Sequence, residues 1–148
     1  MKKIFLFLLI IFYLIINSKD TIKLNTDELE VYNLINEYRK ENKLSNLKLR
    51  ADLNKLAKIK ANDLAKGYYF EHTSPKYGSI FDMMKENNIY YSVAGENLAG
   101  NISSEKAVTS WINSKTHKDN ILTDYTYTGI SVIEDNIYGK VFVQIFLK

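Results

Sequence analysis

A chain of 148 residues, 46% hydrophobic and 25% charged, is long enough for one domain with a buried core, and its balance excludes wholesale disorder. The formal charge is +3; setting Lys2 and Lys3 aside leaves 18 of the 20 basic residues against 17 acidic ones. Near-neutrality with scattered lysines gives no electrostatic case for nucleic acid. The absence of cysteine excludes disulfides, thiolate chemistry and a lipid-modified cysteine.

Lys2 and Lys3 precede an unbroken apolar run from Ile4 to Ile16, followed by Asn17-Ser18-Lys19-Asp20. As a helix this run would reach about 20 Å, short of the ~30 Å hydrocarbon core, and so reads as a secretory leader rather than a membrane span. Residues 1–18 are assigned as a signal peptide, 19–27 as a lead-in and 28–148 as the domain. Ser18 suits cleavage, whereas Ile16 stands where a second small residue is preferred, which leaves an uncleaved N-terminal anchor as the alternative. Both outcomes place the domain outside the cell, secreted or on the surface, with membrane contact only through the N-terminal segment. An exported domain without disulfides has to rely on its apolar core.

Asn25 and Glu28 stand at capping-box spacing, and Val31, Leu34, Ile35 and Tyr38 then repeat at helical period, which predicts a helix over 26–41. A polar connector, 42–49, follows. Leu53, Leu56, Ala57 and Leu64 predict a second helix over 51–66, stopped by Gly67. Tyr69 to Pro75 is irregular and holds the single proline. Ser79 can cap a short helix that buries Ile80, Phe81 and Met84. A fourth helix starts near Ser103 or Ser104, with Glu105 in its first turn and Ala107, Val108, Trp111 and Ile112 as its buried stripe. Residues 128–133 and 140–147 are β-rich, joined by a turn around Glu134-Asp135-Asn136. The last run is apolar on both faces, Val141, Val143, Ile145 and Leu147 against Phe142 and Phe146, so it needs cover on both sides. A small sheet between helical layers answers that need.

Chemistry concentrates in two stretches. Glu71-His72-Thr73-Ser74-Pro75 holds one of the two histidines, and the stretch from Val93 to Leu122 holds the other, His117, together with Glu96. Val93, Ala94, Leu98 and Ala99 frame Glu96, and a carboxylate in such a setting calls for a compensating partner. Two imidazoles and a carboxylate are the kit of an open divalent-metal site or of acid–base chemistry. Their spacing is unspecific, and each residue has a plainer reading: histidine beside a turn, buried structural carboxylate, Trp111 in the core. The 11 tyrosines suggest carbohydrate or cell-wall contact, or simply packing. Neither Ser110 nor Ser114 sits in a histidine–acid arrangement, and no phosphate-cradling glycine loop or nucleotide fingerprint is present.

In chain order the segments Asn36-Glu37-Tyr38-Arg39, Phe70 to Pro75, Gly95-Glu96-Asn97-Leu98-Ala99, Trp111-Ile112-Asn113-Ser114 with His117 and Asn120-Ile121-Leu122, Gly129 to Val132, and Val143 to Phe146 closely resemble the CAP superfamily. These are the cysteine-rich secretory, antigen 5 and pathogenesis-related 1 proteins, or SCP domains. The likeness runs from about residue 28 to the C-terminus and is strongest to the compact, disulfide-free bacterial branch. It implies an α+β fold, a three-layer α-β-α sandwich with a small, mainly antiparallel central sheet. It also implies a cleft with two histidines and two acidic residues. His72 and His117 match the histidines and Glu96 matches one acid. The second acid commonly lies three residues after the tryptophan, where this chain has Ser114. Thr116 replaces a frequent glycine, which stiffens the loop before His117, and Asn120 fixes loop geometry.

Three functions follow as expectations. The first is an extracellular binding or interaction module, for an undefined ligand or protein, whose cleft takes zinc or another divalent cation weakly through His72 and His117, with Glu96 as ligand or as the group that orients them. The second is a metal-assisted hydrolase of peptides or cell-wall material, with Glu96, His72 and His117 as its catalytic set; the missing carboxylate at Ser114 weighs against it. The third is a lipid- or sterol-binding protein, or a scaffold without catalysis.

Overall fold

The computed structural model describes residues 22–67 and 69–148. The signal-peptide assignment, residues 1–18, lies outside the described residues. Among the described residues are five helices: α1 (Thr26–Glu41), α2 (Ala51–Lys66), α3 (Ile80–Glu86), α4 (Ser104–Asn113) and α5 (Lys115–Leu122). The four strands are β1 (Lys48–Leu49), β2 (Ala94–Asn101), β3 (Tyr127–Asp135) and β4 (Gly139–Leu147). No described helix is long and apolar enough to cross a membrane.

The strands form one sheet in the order β1-β3-β4-β2, with β1 parallel to β3 and the other two pairings antiparallel. Side chains alternate across β4, so its two faces belong to two cores. Val141, Val143, Ile145 and Leu147 pack with Leu53, Leu56, Leu64 and Met84 of α2 and α3. Phe142 and Phe146 pack with Val31, Ile35, Val108 and Trp111 of α1 and α4. The fold is therefore the α+β, three-layer α-β-α sandwich with a mainly antiparallel sheet.

Local chemistry explains the element ends. Asn25 caps α1 in a complete capping box with Glu28, and Ser79 does the same for α3 with Asp82. The β3–β4 turn lies at Asn136 to Tyr138, later than expected, and Gly139 closes it at φ +84°, a conformation open to glycine.

Gly67 ends α2 as expected, in extended backbone (φ −88°), and a side chain there would collide with the Tyr69 ring 2.7 Å away. Three expectations change. Phe81 is 45% exposed and Met83 is buried in its place, because the buried face of α3 runs through Ile80, Met83 and Met84. The connector before α2 contributes β1, whose pairing with β3 closes one edge of the sheet. The segment expected to be a loop around His117 is a helix, α5.

Candidate functional site

The site is built on β2, an edge strand. Leu98 belongs to the core beneath α2 and Ala99 to the core beneath α4, so by alternation Glu96 faces the α2 side and Asn97 the α4–α5 side. Two carbonyls of this strand are closed by side chains rather than by another strand: Trp111 Nε1 donates to Leu98 O (2.9 Å) and Asn120 Nδ2 to Glu96 O (3.1 Å). Asn120 Nδ2 also donates to Asn97 Oδ1 (2.9 Å), and Asn97 Nδ2 donates to the carbonyl of His117 (3.0 Å). This amide network fastens α5 to the strand that carries Glu96.

On the α2 side, His72 Nδ1 lies 2.6 Å from Glu96 Oε2. The Glu96 side chain is 3% exposed, whereas that of His72 is 60% exposed. A carboxylate can only accept, so Nδ1 carries the proton and Nε2 is the nitrogen left to solvent. The bond to Glu96 raises the His72 pKa above 6.5, against opposing effects of burial and of the Lys60 charge. Glu96 Oε1 is buried without a hydrogen-bond partner.

Lys60 supplies the missing compensation. It is fully buried, and its ammonium donates to the carbonyls of Glu71 (2.8 Å) and His72 (2.9 Å). Burial lowers its pKa, with the carboxylates of Glu96, Asp63 and Glu71 acting in the opposite direction. Lys60 therefore ties the His72 segment to α2 and places a positive charge near the buried Glu96. Beside it Tyr69 donates to Asp63, and burial, then this bond, push its pKa up to about 12.

His117 sits on α5 with Nδ1 2.9 Å from the Ser114 hydroxyl. Its pKa is lowered, first by burial and then by the charge of His72, so the two imidazoles sense each other. The structure thus joins His72 and Glu96 directly, and the Asn97–Asn120 network fastens the helix that carries His117 to the strand that carries Glu96. Among the described residues no group of three or more His, Asp or Glu side chains could hold a metal ion. Ser114, where a second acid was expected, is instead the hydrogen-bond partner of His117. Sequence reasoning missed Lys60, although its position in the buried stripe of Leu56, Ala57, Lys60, Ala61 and Leu64 was a signal.

The model of the cysteine-rich secretory protein family, CAP, matches residues 32–146. The chain belongs to the CAP family. This CAP domain is 39% identical over 122 residues to the protein YkwD of Bacillus subtilis, covering 81% of this chain and 46% of YkwD. It is 33% identical over 125 residues to the B. subtilis membrane protein YlbC, covering 83% of this chain and 35% of YlbC. The chain thus spans less than half the length of the curated relatives it matches. Among solved structures, an outer surface protein of Borrelia burgdorferi superposes on the CAP domain with a TM-score of 0.77 at 26% identity, covering 86% of this chain and 96% of that one.

Proposed function

We propose that this CAP domain acts outside the cell as a binding module whose cleft presents two anchored imidazoles, His72 and His117, to a weakly held divalent cation such as zinc. The observation that carries this reading is the 2.6 Å bond from His72 Nδ1 to a buried carboxylate. Histidines that ligate metals characteristically donate their other ring nitrogen in this way, which fixes the ring and leaves Nε2 as the ligand atom. At His117 the Nδ1 atom is likewise engaged, here by the Ser114 hydroxyl at 2.9 Å, and Nε2 is the other ring nitrogen. Two imidazole nitrogens, with water filling the remaining positions, would be the donor set, and so few protein ligands account for weak binding. Glu96 serves as an orienting group rather than a ligand, because Oε2 is committed to His72 and Oε1 is buried. A cation bound there would supply a Lewis-acidic point for a partner's carboxylate or carbonyl. Export is supported by the leader-like N-terminus and by the surface location of the Borrelia relative.

Calorimetric titration with zinc at pH 7.5 tests the reading. Wild type is expected to bind weakly at a single site, and His72→Ala/His117→Ala to show no heat above dilution. Equal binding by that variant, or no binding by wild type, would end the metal reading. Release of products from peptides or peptidoglycan that disappears in Glu96→Gln would favour the hydrolase instead.

A further inference from the structure

The outward face of α2 is a second place where like groups collect. Lys55, Lys58 and Lys66 share one stripe of the helix, the face opposite the buried Lys60. With Lys76 from the following turn they line a cavity of about 520 Å³. A neighbouring cavity of about 320 Å³ shares Lys55 and Lys58 and adds Lys23, so the two form one continuous groove. All five lysines are exposed. Two acids stand on its walls, Asp63, bonded by the Tyr69 hydroxyl, and Glu28, bonded by the backbone N–H groups of Asn25 and Val132, so five ammonium groups face two carboxylates. Across the molecule a cavity of about 410 Å³ between α1 and α4 is lined by Glu37, Glu41 and Glu105 and by no basic residue. A domain that is near-neutral in sum has therefore separated its charges, with a basic groove on one side.

We infer that this groove binds a flexible, linear polymer of phosphodiester units without bases. Lys55 and Lys66 stand about 16 Å apart along the helix, with Lys58 one turn from Lys55. That spacing suits successive charges of an extended chain better than one compact anion. Lysine heads are point charges without the planar fork that reads a single phosphate bidentately, so recognition follows charge spacing. Nucleic acid fits poorly, since base binding wants exposed aromatic platforms. The aromatic side chain facing the first cavity, Tyr77, has the Lys76 ammonium over its ring at 4.7 Å.

The test uses the full chain and a fluorescent poly(glycerol phosphate), followed by anisotropy at low and at physiological salt. Binding is expected to weaken steeply with salt, as counterion release requires. Lys55→Glu/Lys58→Glu is expected to lose about tenfold or more in affinity, and Lys85→Glu/Lys106→Glu, with the same net charge on other surfaces, to stay within about twofold. Equal losses in the two variants would reduce the effect to net charge and overturn the site. Single-stranded DNA of matched charge binding as tightly would overturn the base-free assignment. Binding to phosphatidylcholine–phosphatidylglycerol vesicles but not to the polymer, lost in Lys55→Glu/Lys58→Glu, would overturn the polymer in favour of a lipid surface. Zinc calorimetry on the same variants separates this site from the histidine cleft, which they leave intact.

Discussion

Replacing Gly129 with alanine drives a methyl group into the backbone of α2. A Cβ built on Gly129 lies 2.2 Å from Leu53 C, 2.4 Å from Leu53 O and 2.5 Å from Asn54 N, where ordinary contact begins at 3.4 Å. Relief therefore needs a displacement of about 1.2 Å (3.4 less 2.2), and neither β3, paired on both sides, nor a helix backbone yields as a side chain would. Lifting α2 by that amount loosens Leu53, Leu56, Ala57, Ala61 and Leu64 together, and gaps of this order forfeit much of the dispersion energy. The cost belongs at or above the upper end of overpacking, about 3–4 kcal/mol. At roughly 4 °C per kcal/mol, the melting temperature should fall by about 12–16 °C. Thermal and urea unfolding followed by circular dichroism measure it. Gly100→Ala is the comparison: the three atoms nearest its Cβ are Cγ, Cδ1 and Cβ of Tyr138 at 2.6–2.9 Å, so a partly exposed residue of the β3–β4 turn shifts rather than a packed helix backbone, and its cost should stay below that of Gly129→Ala. A Gly129→Ala protein as stable as wild type, or two variants equally impaired, would refute the argument.

Other expectations concern the site. NMR titration should find His72 titrating above 6.5 and His117 below it, and in Glu96→Gln the His72 value should drop. Because folding raises the His72 pKa, its pairing with Glu96 contributes stability fully present below about pH 6.5 and lost as pH rises through the folded value. His117 contributes with the opposite sign, losing stability as pH falls below about 6.5 through its depressed folded value. Lys60→Met keeps the volume but leaves the Glu71 and His72 carbonyls without their donor and Glu96 without its counter-charge; a loss of about 2–4 kcal/mol in urea unfolding is expected. Asn120→Ala removes donors to Glu96 O and Asn97 Oδ1, and should cost about 1–3 kcal/mol and raise hydrogen exchange in α5 more than in α1.

The helix α1 was legible because its cap and its apolar periodicity agreed, α2 from its apolar periodicity and the glycine that stops it, and β4 because it is apolar on both faces. The strand under Glu96 was not legible: Ala-Gly-Glu-Asn-Leu-Ala-Gly-Asn has little β propensity and is held extended by its register against β4. The helix α5 was equally hidden, since Lys-Thr-His-Lys-Asp-Asn carries no apolar period and is fixed by the hydrogen bonds of Asn97 and Asn120 to and from β2. The isolation of Glu96 among apolar neighbours pointed to a partner, and His72 is that partner. The buried cations Lys60 and Arg39 were passed over because charge usually marks surface, although both lie on apolar stripes.

Arg39 ties the beginning of the domain to its far end. Fully enclosed, it donates to Ser45 O and then, 82 to 86 residues onward, to Ile121 O, Thr123 O and Tyr125 O. A ribosome delivers α1 early, yet its guanidinium has no complete set of acceptors until the segment after α5 emerges. The first helix must wait for the last third of the chain, so the domain should assemble in one late step rather than piece by piece.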